Sequence, residues 1–192
     1  SHRDGDGMSF QQVPYGIHPV ASYWQDIDFP LIVRTTGVGR PVLTAVRGNV
    51  EAPLWAVNDN LNIEGQEIIH AYKEGSTIQW HIHMITAGTE ATDAYVKWQV
   101  EWVWGNANSA LSDTITTTSA DLLIPAGTPD RSMIVREIAQ VEMPTMNIGA
   151  HIWSRLTRVA ADGAAPSDDV FASMLQLHVE CDSPGSREVF TK

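Results

Sequence analysis

The sequence predicts an all-β fold, an antiparallel β-sandwich of the jelly-roll type with about seven to nine strands and little helix. Three observations lead there. Several segments alternate apolar and polar residues with period two, prolines and glycines punctuate the chain roughly every ten to twenty residues, and no long stretch carries the 3.6-residue period of an amphipathic helix. Tyr95 to Trp104 is the clearest strand, with Val96, Trp98, Val100 and Trp102 set against Lys97, Gln99 and Glu101. A helix would scatter its tryptophans around the circumference, whereas a strand gathers them on one face.

Ile78 to Ile85 alternates in the same way, placing Ile78, Trp80, Ile82 and Met84 on one face and Gln79, His81, His83 and Ile85 on the other. Leu175, Leu177, Val179 and Cys181 alternate against Gln176, His178 and Glu180. Further strands are expected at Val42 to Arg47, Ile115 to Ser119, Met133 to Val141 and Ala150 to Val159. Asp59 to Glu67 and Ser167 to Ala172 are the short helix candidates. Residues 1–9, glycine-rich and polar, read as a flexible leader or linker remnant, and residues 10–192 as a single β-sandwich domain. No repeat of fixed period argues for a propeller or solenoid.

Twelve Lys and Arg against twenty-three Asp and Glu give a net charge of −11. Such a chain repels phosphate backbones and anionic membrane surfaces, so neither nucleic acid nor membrane is expected as a partner. No signal peptide and no transmembrane segment is seen. The single cysteine, Cys181, has no intrachain disulfide partner and reads as a small buried hydrophobe.

Chemistry concentrates at Trp80-His81-Ile82-His83, because histidines two apart on a strand project from one face and can share a ligand. His81 and His83 are therefore the metal candidates, with a divalent transition metal as the cofactor they would hold. Two nitrogens leave a coordination shell incomplete, so further ligands must come from other strands or from symmetry mates, and a trimer axis would gather three pairs. The bland reading of the pair is a solvated or intersubunit face. His151 and His178 supply a further ligand only if the strands converge, and otherwise make ordinary hydrogen bonds.

The tryptophans raise a second reading, since sugars stack on exposed aromatic faces. Trp80, Trp98, Trp102 and Trp153 sit in alternating segments and are expected in the core, while Trp24, Trp55 and Trp104, near turns or strand ends, together with Tyr72, are the candidates for glycan contact. A calcium role for Asp4 and Asp6, or for Asp168 and Asp169, lacks the full ligand pattern of a calcium loop. No nucleophile elbow, P-loop, dinucleotide fingerprint, HExxH or CxxC spacing points to an enzyme class, so no catalytic residue is assigned.

Two resemblances follow from these segments. Gly75, five residues, then His81-x-His83 resembles the opening of the cupin metal motif, but the glutamate and third histidine of that motif have no match at the expected spacing. Ser22-Tyr23-Trp24-Gln25-Asp26-Ile27-Asp28-Phe29-Pro30, His70-Ala71-Tyr72-Lys73-Glu74-Gly75 leading into His81-x-His83, and Gly185-Ser186-Arg187 together resemble a group of tailed-phage virion appendage proteins, across nearly the whole chain. Tyr72 stands where a Trp is common in that group, Met84 where an aromatic often follows the second histidine, and Gln25-Asp26 where an Asp pair is usual.

The phage resemblance implies a non-enzymatic fibre or spike domain at the virion surface. It would assemble as a homotrimer, contact other virion proteins and attach to host surface polysaccharide. The cupin resemblance implies instead a metal-binding enzyme or sugar-binding protein using His81 and His83.

Overall fold

The computed structural model describes residues 22–183, which form eleven strands and no helix. In chain order these are β1 (Tyr23–Pro30), β2 (Val42–Arg47), β3 (Val50–Trp55), β4 (Asn60–Glu67), β5 (Thr77–Ile85), β6 (Ala94–Gly105), β7 (Ile115–Thr118), β8 (Leu122–Ile124), β9 (Met133–Glu142), β10 (His151–Val159) and β11 (Val170–Cys181). The leader, the Asp4 and Asp6 pair and the Gly185-Ser186-Arg187 segment lie outside the described residues.

All strand pairs are antiparallel. The six-stranded sheet runs β2-β3-β11-β5-β9, with β1 also on β11; the five-stranded sheet runs β4-β10-β6-β7, with β8 also on β6. β3 and β1 share one edge of β11, β3 beside Val170 and Phe171 and β1 beside Met174 to Cys181. The chain therefore passes back and forth between the sheets, and the orders β1/β3-β11-β5-β9 and β4-β10-β6-β7/β8 interleave as two Greek keys. This is the jelly-roll arrangement.

The alternation of β5 and β6 buries one face of each strand. Ile78, Trp80, Ile82 and Met84 face Val96, Trp98, Val100 and Trp102 in a single core. Trp80 packs between Phe29 and Trp102, with ring centroids 5.3 and 5.8 Å away. Trp55 meets Trp98 edge-on at 5.3 Å. These indoles fill the space between the sheets, and offset or edge-on contacts suit their quadrupoles.

Two expectations are corrected. Asn60 to Glu67 is a strand, because pairing with β10 buries Leu61 and Ile63. Val170 to Ala172 opens β11, paired to β3 and β5, where a helix was expected. The second segment shows no alternation because both its faces are covered. Phe171, on the face away from the main core, lies under the Arg131 guanidinium at 4.9 Å, and Arg131 in turn donates to the Val46 carbonyl at 2.7 Å.

Candidate functional site

The outer face of the larger sheet carries the residues that β5 does not bury. β11 is central there, hydrogen-bonded to β1 on one side and β5 on the other, so side chains from three strands stand on one rigid surface. Asp26 lies directly across from His178, and Asp28 across from Gln176. On the other side His81 is in register with Gln176, yet its ring meets His178 at 5.1 Å, edge-on. His83 makes the same diagonal step, and its Nε2 lies 2.6 Å from Gln176 Oε1. Diagonal neighbours on a sheet are within reach of side chains of this length.

Two parallel rows result. One is Asp28, Gln176 and His83, closed by hydrogen bonds: Gln176 donates to Asp28 at 2.7 Å and meets His83 through its amide oxygen. The other is Asp26, His178 and His81, whose ligand atoms all lie within 4.8 Å of one another. His178 Nδ1 is 3.9 Å from Asp26 Oδ1, and it is buried without a hydrogen-bond partner. Trp24 packs edge-on against His178 at 5.0 Å. Burial holds the His81 imidazole below its ordinary pKa and the nearby His178 adds to this, while Asp26 and Glu137 act in the opposite sense. A neutral imidazole keeps a lone pair free for a ligand.

His81 and His83 thus share a face but not a partner. His178 is the residue that joins His81, and Asp26 is one that sequence reasoning did not single out. The Trp24-x-Asp26-x-Asp28 alternation of β1 held a signal for Asp26, but the choice of His178 over His83 depends on strand register.

The inner face of β5 is apolar and packed, and the histidines point away from it. A cupin-type centre inside the sandwich is therefore not formed.

The glycan candidates separate by burial. Trp55 and Tyr72 are fully buried, which corrects the expected exposure of Trp55 and removes both as glycan contacts: the Trp55 indole donates to the Ala172 carbonyl at 3.1 Å, and the Tyr72 hydroxyl to the Ser76 carbonyl at 2.9 Å. Burial also raises the Tyr72 pKa. Trp104 is half-buried against the core, and Trp24 is 45% exposed.

Trp153, expected in the core, is 41% exposed on the outer face of the smaller sheet. The alternation of β10 is unbroken, with Ile152, Ser154 and Leu156 turned inward, so Trp153 shares the outward side with His151 and Arg155; the β-bulge lies opposite, in β4 between Ile63 and Gln66. Gly65 lets the indole lie against β4, because a Cβ there would come within 2.5 Å of Trp153 Nε1. His151 stacks on the indole at 5.7 Å. Beside it opens a shallow groove of about 400 Å³ lined by Asn62, Glu101, Thr114, Trp153 and Arg155. Arg155 and Glu101 pair across it at 3.3 Å.

No family model and no curated protein matches the chain. Among solved structures it is similar to "Structure of infectious bursal disease virus Gx strain" at 10% identity and a TM-score of 0.40, over 88% of this chain and 33% of that one. It is also similar to "Structure of infectious bursal disease virus Gt strain" at 8% identity and a TM-score of 0.34, over 86% and 31%. The chain spans about one third of the length of those virus chains.

Proposed function

We propose that this chain is a non-enzymatic virion structural protein, a fibre- or spike-type jelly-roll domain that assembles as a homotrimer at the virion surface and attaches to host glycans. The observation that carries the reading is the pair of apolar edges on the larger sheet. β2, at one edge, exposes Val42 and Leu43, and the adjoining hairpin exposes Val50; β9, at the other edge, exposes Met133 and Val135. Arg47 is the only charge on β2, and β9 is uncharged over Met133 to Val135, before Arg136, Glu137 and Glu142.

An open edge with little charge invites another chain, and soluble proteins usually blunt such edges. Here the two apolar edges are different patches on opposite sides of one subunit. Joining β2 of one copy to β9 of the next is a head-to-tail contact, which closes into a ring when the rotation allows. A cyclic trimer pairs β2 and β9 of every copy, and it leaves the outer face of the smaller sheet free for other partners.

That face supports the attachment half of the proposal. A flat indole backed by His151 offers a stacking platform, and Arg155, Glu101 and Asn62 offer hydrogen bonds to sugar hydroxyls. Other virion proteins would join the subunit through surfaces that the ring leaves open.

Static light scattering on the full chain is the direct test. Three times the chain mass at micromolar concentration is expected, and a monomer would overturn the assembly reading. Glycan-array binding by wild type, abolished in Trp153→Ala at unchanged mass, is expected for attachment; equal signals from both would remove Trp153 from it.

A further inference from the structure

We propose that Asp26, His81 and His178 form a binding site for a divalent transition-metal ion of the zinc class, on the outer face of the larger sheet and within a single chain. The site goes beyond the virion reading and does not depend on assembly. Its donors come from three adjacent strands, β1, β5 and β11, which the ladder holds in fixed register.

Distances come first. The three ligand atoms lie within 4.8 Å of one another, and His178 Nδ1 is 3.9 Å from the Asp26 carboxylate. Zinc bound tetrahedrally at about 2.0–2.1 Å places its ligands roughly 3.3 Å apart. Closing that difference is a matter of side-chain rotation, for which an exposed Asp26 and half-buried His81 and His178 leave room.

Chemistry comes second. His178 Nδ1 is shielded from solvent and has no hydrogen-bond partner, an arrangement that leaves a buried polar atom unsatisfied at a cost. An ion shared with Asp26 and His81 would satisfy it. Trp24 packs edge-on against the His178 ring.

Selectivity follows from the donor set. Two imidazoles and one carboxylate match zinc and its transition-metal neighbours, whereas calcium and magnesium prefer all-oxygen shells. Three protein ligands leave a position open to water. Glu137, in register with His81 on β9, brings a second carboxylate near the ion's charge. His83 stands outside the set, because Gln176 already engages its Nε2 at 2.6 Å.

The experiment is a calorimetric titration of the full chain with Zn²⁺, repeated on Asp26→Asn, His178→Gln and His83→Gln, with circular dichroism recorded on each. One ion per chain is expected for wild type. Affinity should fall at least about tenfold in both Asp26→Asn and His178→Gln and stay within about threefold in His83→Gln. A Zn²⁺-induced rise in Tm should accompany binding in wild type and His83→Gln only. If His178→Gln does not fold, Asp26→Asn decides, since its side chain is exposed and isosteric. Absence of saturable binding overturns the proposal, as does undiminished binding in Asp26→Asn or His178→Gln. A loss in His83→Gln equal to that in His178→Gln overturns it too and returns the site to the His81–His83 pair.

Discussion

Asp121 organises a turn through one carboxylate. Its Oδ2 accepts hydrogen bonds from the backbone N–H groups of Gly163 and Asp162, both at 2.8 Å, and its Oδ1 lies 3.2 Å from Lys97 Nζ. The Gly163 and Lys97 contacts favour the ionised form and hold the Asp121 pKa below its ordinary value of 3.8. A depressed pKa in the folded state means stability that is fully present above the unfolded value and lost as pH falls through the folded one. Asp121→Asn should therefore lower Tm at neutral pH, and the gap from wild type should close on acidification below about pH 4. Tm measured across that range checks this, and a gap of constant size would assign the loss to geometry instead of charge. At the same scale, the candidate site was only half legible. Alternation placed His81 and His83 on one face, but the bond from Gln176 to His83 and the approach of His178 to His81 are set by partners about ninety to a hundred residues away in sequence, and no local pattern encodes them.

Among the elements, β5 and β6 hold the core through tryptophans that differ in one respect. Trp98 Nε1 points at Met84 Sδ, 3.1 Å away, whereas Trp80 Nε1 is buried without a partner. Replacing either indole by Phe removes similar volume. At Trp80 the change also deletes an unsatisfied donor, so Trp80→Phe should cost about 1 kcal/mol less than Trp98→Phe. Trp80→Ala, which leaves a cavity between Phe29 and Trp102, should cost about 3–5 kcal/mol. Urea denaturation of the three variants measures the differences, and equal costs for the two Phe variants would mean the unpaired indole is not penalised. Strands such as these were readable because their alternation is unbroken. β4 was not, since only Leu61 and Ile63 carry its pattern and Glu64, Gln66 and Glu67 suit a helix; pairing with β10 decides the matter. The start of β11 was hidden for the opposite reason, because Arg131 covers the outward ring of Phe171 and both faces read as apolar.

Across the whole molecule, period-two patterns indicate sheets, but the strand order comes from contacts between residues far apart in sequence. β1 pairs with β11, for example, at the two ends of the described chain. That closure pins the middle of the larger sheet and leaves β2 and β9 at the two ends of its strand order. If those edges join copies head to tail, a charge on one edge is enough to break the ring, since each interface contains one of each. Val42→Glu with Leu43→Glu places two carboxylates on β2, where both wild-type side chains are exposed, so the subunit fold should survive. Burying them in an interface costs several kcal/mol unless they are paired. Light scattering should then return the monomer mass with an unchanged circular dichroism spectrum. The complementary variant, Met133→Lys with Val135→Lys on β9, should also be monomeric alone, and mixing the two should restore association into mixed dimers and even-numbered assemblies by pairing opposite charges across the contact, since a ring of three cannot alternate the two. Recovery in the mixture is the outcome that distinguishes a β2-to-β9 contact from β2 meeting β2. Should the glutamate variant stay oligomeric, the apolar edges are not what holds the copies together.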